Sequence, residues 1–215
     1  MNVTENLGSV RERIARAGRD PDEVTIVAVT KGFGADVCQA AVDAGLTILG
    51  ENRVQEALGK MGGLQGAHWH LIGHLQTNKV RAAAGRFALI QSVDSDHLAE
   101  RLAQVDAKQA VLVEVNIARE PQKSGVDPAR AIALIDEVSK RLDLRGLMAM
   151  GPTQGDPTPA FSELRALRDE AQQRLGRSLP ILSMGMSGDF EAAVAAGSTM
   201  VRLGQVLFRA TARGG

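Results

Sequence analysis

The sequence predicts an α/β protein, a single (β/α)8 barrel of the TIM type preceded by one extra helix, forming one domain over residues 1–215. Three observations lead there. Strand-like and helix-like patterns alternate eight times, and strands separated by helices run parallel because each crossover carries the chain back. The first strand, residues 24–30, is β-branched at six of seven positions, as suits a strand covered on both faces. No linker or low-complexity tract divides the chain, and eight parallel units close naturally into a barrel at the small end of its usual size range. An open doubly wound sheet competes, but no G-x-G-x-x-G follows the first strand to support it.

The elements follow in order. A leading helix within residues 1–19 carries Val3, Leu7, Val10 and Ile14 on one face, and the barrel then occupies 24–208. The first strand runs into Lys31, and Gly32 and Gly34 precede a helix over 35–44 that Gly45 stops. The second strand is 47–50, with a helix over 54–60. The third is 69–72, and Thr77 caps a helix that fades at Gly85. The fourth is 88–92, with Asp94 or Ser95 capping a helix that stacks Leu98, Leu102 and Val105. The fifth, 110–115, precedes a polar loop and a helix opened by Asp127-Pro128, an N-cap with proline at the first helical position. The sixth is 144–148, and Thr158-Pro159 opens a helix with Phe161, Leu164, Leu167, Ala171 and Leu175 on its apolar side. The seventh is 181–184 with a helix over 188–196, and the eighth is 200–203 with a last helix from Gln205.

Composition excludes several classes. Lys+Arg and Asp+Glu balance at 25 each, so no net field recruits nucleic acid or an anionic membrane. No stretch reaches the roughly 18 apolar residues of a membrane span, and the N-terminus lacks a signal-peptide core, so a cytoplasmic protein is expected. Cys38, the single cysteine, lies in an apolar stretch and reads as a small buried residue. The histidines at 68, 70, 74 and 97 lack a cysteine or carboxylate to complete a ligand set, so no metal is expected, and His74 is assigned to a pocket or a loop anchor. Trp69 and the methionines at 148, 150, 184 and 186 read as core. The 119–123 loop is polar and reads as a mobile docking or hand-over surface, and the exposed helices suit a monomer or weak dimer.

In a barrel the residues just after each strand face one pocket. Here they are Lys31, Glu51-Asn52, Gly73-His74, Asp94, Asn116, Met150-Gly151, Ser187-Gly188 and Arg202-Gly204. A lysine at the carboxyl end of a buried strand is expected to be partly desolvated, which favours the neutral amine and Schiff-base chemistry; a lysine snorkelling into water is the alternative. The segment 183–189 leaves the seventh strand through small residues and enters a helix N-terminus, a pattern that favours anions, and Arg202-Leu203-Gly204-Gln205 repeats it after the eighth. Barrels commonly hold phosphate between these two loops. A lysine on the first strand beside a phosphate clamp on the seventh and eighth describes a pocket for a small phosphorylated aldehyde, of which pyridoxal 5′-phosphate (PLP) is the commonest cofactor.

The chain resembles the pyridoxal phosphate homeostasis protein family, the single-domain relatives of the alanine racemase barrel. The resemblance rests on the runs 27–31, 50–56, 69–79, 122–125, 146–150, 182–187 and 196–204, with Gly-Glu-Asn-Arg-Val-Gln-Glu and Trp-His-Leu-Ile-Gly-His-Leu-Gln-Thr-Asn-Lys the most specific. It implies a Lys31 aldimine with PLP, phosphate contacts at Ser187 and at the backbone of Gly204 and Gln205, Arg202 near the pyridine nitrogen, and further contacts at Asn52 and Ser183. This chain has Gly32 where the family usually has Thr, and Gln205 where it usually has a Thr that offers a hydroxyl.

The resemblance also implies a carrier that stores, buffers or delivers PLP, with effects on amino-acid and keto-acid balance and with PLP-dependent apo-enzymes as partners. The sequence contains no tyrosine, which the resembled racemases use as the base opposite the lysine. A permanent cation at Arg202 opposes protonation of the ring nitrogen and so weakens the electron sink that carbanion chemistry needs. Both features favour a non-catalytic role. The alternatives are a slow amino-acid racemase, a Schiff-base aldolase, and a phosphate-ligand module in which Lys31 is only a counter-ion.

Overall fold

A computed structural model of the chain describes residues 2–209, so Met1 and residues 210–215 of the expected domain lie outside the described residues. The strands are β1 (Thr25–Val29), β2 (Ile48–Glu51), β3 (His68–Leu71), β4 (Leu89–Val93), β5 (Ala110–Glu114), β6 (Asp143–Met148), β7 (Ile181–Ser183) and β8 (Met200–Leu203). They form a closed parallel barrel in chain order, and β8 returns to pair with β1 from Thr25↔Met200 to Ala28↔Leu203. The helices are α1 (Val3–Arg16), α2 (Ala35–Asp43), α3 (Val54–Met61), α4 (Val80–Ala83), α5 (Asp96–Ala103), α6 (Pro128–Arg141), α7 (Thr158–Leu175), α8 (Phe190–Ala195) and α9 (Gln205–Phe208). The expected fold class stands, extra helix included.

Alternation along each strand sorts residues between two cores. Outward positions such as Ala28, Leu49, Val113 and Val201 pack against the helices in one large apolar shell. Inward positions Val27, Leu89, Leu112, Met148 and Met200 form a separate plug inside the barrel, with Ile48, Ala110 and Ile181 packed against it. The plug closes the amino-terminal half of the barrel and leaves the carboxyl-terminal half for polar side chains. The leading helix is fixed at its side: Asn6 donates to the Leu207 and Arg209 carbonyls at 2.8 and 3.1 Å, and Arg13 grips Glu191 through two bonds of 2.7 and 2.8 Å while lying over the Phe190 ring.

Several boundaries depart from the sequence expectation. The helix expected from Thr77 is a 3-10 turn, Thr77–Lys79, running into the single turn of α4, with no side-chain cap from Thr77. Val105 lies beyond the end of α5 and is exposed, so it does not continue the Leu98–Leu102 stack. The register of β5 on β6 slips between Val111 and Leu112, and Gly146 sits at the slip. A Cβ on Gly146 would lie 1.8 Å from the Ile181 carbonyl oxygen, a backbone atom that cannot swing away. We predict that Gly146→Ala costs about 1–3 kcal/mol or more of folding stability, since small-to-large changes in a packed interior force backbone shifts. Urea unfolding measures this, and an unshifted midpoint would contradict the packing described.

Candidate functional site

The carboxyl-terminal mouth of the barrel opens into a cavity of about 470 Å³ lined by Lys31, Asn52, His74, Glu114, Ser187, Arg202, Gly204 and Gln205, among others. Alternation explains the convergence. Val27 belongs to the interior plug, so Val29 and Lys31 follow on the same side, and Met200, Arg202 and Gly204 do so along β8. Lys31 is exposed at the mouth and not partly desolvated as expected, because burial on β1 ends at Thr30 and the chain turns at Gly32, whose φ is +76°.

Below the mouth lies a layer of buried polar side chains joined in one direction. Arg202 donates through Nη1 to the Ser183 hydroxyl at 2.8 Å and to its carbonyl at 2.9 Å, and through Nη2 to the Ala149 carbonyl at 2.9 Å. Ser183 donates onward to Gln91 Oε1 at 2.7 Å, and the Gln91 amide lies 3.0 Å from His70 Nδ1. His70 is held neutral: burial first, then the nearby His68, push it down from 6.5 to about 4, so Nδ1 can accept. Burial likewise pushes Arg202 down to about 10, against the pull of Glu114 and Asp189. Ser183 is thus corrected from a ligand contact to a support. It is fully buried beneath Arg202, with its hydroxyl already engaged on both sides, and it does not line the cavity.

Glu114 was not among the expected site residues. It is 2% exposed and lines the cavity, and its carboxylate, unlike its backbone carbonyl, which accepts from the Val126 N–H at 2.8 Å, meets no hydrogen-bonding side chain among the described residues. Burial, and then Asp94, raise its carboxyl from 4.5 to about 7, with Arg202 opposing. The signal was available in the fifth strand, where the one acidic residue in an apolar run falls on the inward register of Leu112. Strand β5 also lies opposite β1 in an eight-stranded ring, so Glu114 and Lys31 belong to facing walls.

The two expected anion turns meet. Ser187 Oγ accepts from the Val206 N–H at 3.4 Å, which ties the turn after β7 to the start of α9. The N–H groups of Gly188, Gly204 and Gln205 have no acceptor among the described residues. Helix α9 is a single turn and α8 begins only at Phe190, so the donors are individual turn amides and not the ends of long helix dipoles. Their number and direction fit a phosphate, and the Lys31 amine in the same cavity fits an aldehyde.

The polar loop after β5, expected to be mobile, is tied down. Glu120 accepts from the Thr153 N–H and hydroxyl at 2.7 and 2.6 Å, Lys123 donates to the Gly151 carbonyl at 2.7 Å, and Arg119 holds Glu163 through two bonds. These bonds brace Ser124, which lines the cavity. Cys38 and Trp69 are buried in the outer shell. Among the described residues no group of three or more metal-ligating side chains comes together, and no helix is long and apolar enough to cross a membrane.

With this geometry in hand, the comparisons are specific. The family model for the alanine racemase N-terminal domain matches residues 2–212. The chain belongs to that family. Within it, the chain is 40% identical over 223 residues to the pyridoxal phosphate homeostasis protein of Aquifex aeolicus, covering 97% of this chain and 98% of the relative. The protein of the same name from Escherichia coli is 38% identical over 226 residues, with 97% of each covered. PipY of Synechococcus elongatus, solved with PLP bound, superposes with a TM-score of 0.84 at 35% identity over 96% of this chain and 100% of that one. The alanine racemase of Clostridium difficile shares the fold at a TM-score of 0.79 with 16% identity, and the match takes in 60% of its length.

The two buried titrating groups act on stability in opposite senses. Glu114 keeps, up to about pH 7, a proton that the unfolded chain releases near 4.5, so its contribution favours folding below 4.5 and is lost as pH rises to 7. His70 releases near pH 4 a proton that the unfolded chain holds up to 6.5, so its contribution is full above 6.5 and lost as pH falls to 4. We predict a nearly flat urea midpoint between these limits in the native protein. In Glu114→Gln the midpoint rises with pH over the same interval; a variant that stays flat would show that His70 is not the opposing group.

Proposed function

We propose that this protein binds PLP through a Schiff-base linkage to Lys31 and holds it for storage, buffering or delivery, without using it for turnover. The observation that carries the reading is the single cavity shared by an accessible amine, two turns of free N–H donors and a buried guanidinium. When bound, the cofactor supplies an aldehyde for covalent attachment and a ring that can withdraw electrons. Ser187 and the amides of Gly188, Gly204 and Gln205 bind the phosphate, and Asn52 contributes from the β2 side. Arg202, fixed by three bonds to Ser183 and Ala149, presents a permanent cation to the ring nitrogen and disfavours its protonation. The relatives named pyridoxal phosphate homeostasis protein, similar over nearly their full length, support a role in PLP homeostasis. We infer beyond this that PLP-dependent apo-enzymes are the recipients and that amino-acid and keto-acid balance responds.

A slow racemase is the second reading, and one observation favours it. His74 lines the cavity, with Nδ1 3.3 Å from Asp94, and is the candidate for the base that tyrosine supplies in racemases. Cys38, the other candidate, is excluded by its burial in the outer shell. Steady-state racemisation of alanine that is lost in His74→Ala would favour this reading, and a rate near the enzyme median of about 10 per second would exclude a carrier without turnover.

The purified protein is expected to be yellow with PLP, and borohydride should bleach it and leave a mass adduct on Lys31. Lys31→Ala should abolish the adduct while retaining non-covalent PLP. An adduct on another lysine, or none, would refute the assignment. Ser187→Ala should weaken PLP binding by roughly tenfold to a hundredfold, the worth of one hydrogen bond to a charged phosphate. Equilibrium dialysis checks this, and unchanged affinity removes Ser187 from the phosphate site.

A further inference from the structure

Lys31 is flanked by a charged network that the cavity itself does not need. On the outer side of the barrel, Lys60 of α3 reaches the end of β1 and donates to the Thr30 carbonyl at 3.0 Å, to Glu51 Oε1 at 2.6 Å and to Glu56 Oε1 at 3.1 Å. The Thr30 hydroxyl donates to the same Glu51 oxygen at 2.7 Å. One residue past Lys31, the Gly32 N–H donates to Glu56 Oε1 at 2.7 Å. The residue before Lys31 and the residue after it are therefore both fastened to one carboxylate–ammonium–carboxylate group. Glu51 is fully buried and the Lys60 side chain is 10% exposed, so water competes little for these bonds.

We propose that Glu51, Lys60 and Glu56 form a clamp that positions Lys31, fixing the backbone on both sides so that its amine is presented to the cavity at one height and angle. The proposal rests on the reading of Lys31 as the residue that captures the cofactor. Its need follows from Gly32. That residue has φ +76° and open space where a side chain would lie, so the turn carrying Lys31 has no Cβ to stiffen it. The Glu56 bond supplies the missing restraint. The charges support it: the Gly32 N–H, then Lys60, hold Glu56 below the usual carboxylate range. Burial opposes the charge on Lys60, but its bonds to Glu51 and Glu56 outweigh that and raise it. Lys60 therefore stays an ammonium and does not compete with Lys31 as a nucleophile. All three are positioning residues, since none of them lines the cavity.

The test compares the rate of cyanoborohydride-trapped PLP capture at Lys31, resolved by mass spectrometry, with the affinity for pyridoxine 5′-phosphate, which lacks the aldehyde. Glu56 is half-buried on α3, so Glu56→Ala removes the Gly32 acceptor without stranding a buried charge. Capture should slow by roughly tenfold or more, as misplacement of a reacting group does, while pyridoxine phosphate affinity holds. Glu56→Gln, whose amide oxygen can still accept from Gly32, should recover most of the rate. Lys60→Met should slow capture in the same way and Lys60→Arg should restore it; should Lys60→Met not fold, the Glu56 pair decides. Capture at the native rate in Glu56→Ala overturns the clamp, as does a parallel loss of analogue affinity, which marks general damage to the cavity. No capture at Lys31 in the native protein overturns the PLP reading and the clamp together, whereas native capture with unaffected variants removes the clamp alone.

Discussion

The barrel throat is organised around one buried cation. Among the described residues Arg202 has no carboxylate within hydrogen-bond reach; its bonded acceptors are the Ser183 hydroxyl and the carbonyls of Ser183 and Ala149. A guanidinium held this way is costly by several kcal/mol unless its surroundings are arranged to receive it. The arrangement fixes everything downstream. Because the guanidinium has only donors, Ser183 must accept from it and pass its own proton to Gln91, whose amide must then meet an unprotonated nitrogen. His70 can offer that nitrogen only as the neutral ring, which burial enforces. Four side chains from β3, β4, β7 and β8 are thereby locked in one orientation across the barrel.

The same layer sets the electrical character of the cavity above it. One wall carries the Arg202 charge and the unfilled amide donors of two turns; the facing wall carries Glu114 with Asp94 nearby. Their fields act across the short span of one cavity, and the buried members, Arg202 and Glu114, are screened less than exposed charges would be. A ligand with an anionic end is oriented by such a field toward the amide donors and away from the Glu114 wall.

Much of this was legible in the residues. The barrel followed from the alternation of strand and helix patterns, and position at the carboxyl ends of the strands gave Lys31, Asn52, Arg202 and Gly204, all of which line the cavity. What was hidden depended on side-chain partners. The family resemblance implied a ligand contact at Ser183, but its hydroxyl is consumed by Gln91 and Arg202, which no spacing rule reveals. Glu114 was passed over because it sits inside a strand and not after one. The desolvation expected of Lys31 failed because the strand's burial stops one residue earlier, a boundary that apolar pattern does not resolve. The helix after β3 ends before Gly85 as expected but starts as a 3-10 turn, Thr77–Lys79, with no side-chain cap, which leaves only Val80–Ala83 as α-helix. Glu51 and Glu56 belonged to a recognisable run, yet their attachment to the flanks of Lys31 appears only when α3 is laid against β1.

The apolar plug of Val27, Leu89, Leu112, Met148 and Met200 makes the barrel a blind vessel. Whatever enters must leave by the same aperture, so filling and emptying cannot proceed at once. Under the proposed delivery role, a recipient that blocks the rim would also block replenishment, and each transfer would be a complete cycle of discharge before reloading. The throughput of such a container is bounded by how long visitors dwell at its single doorway.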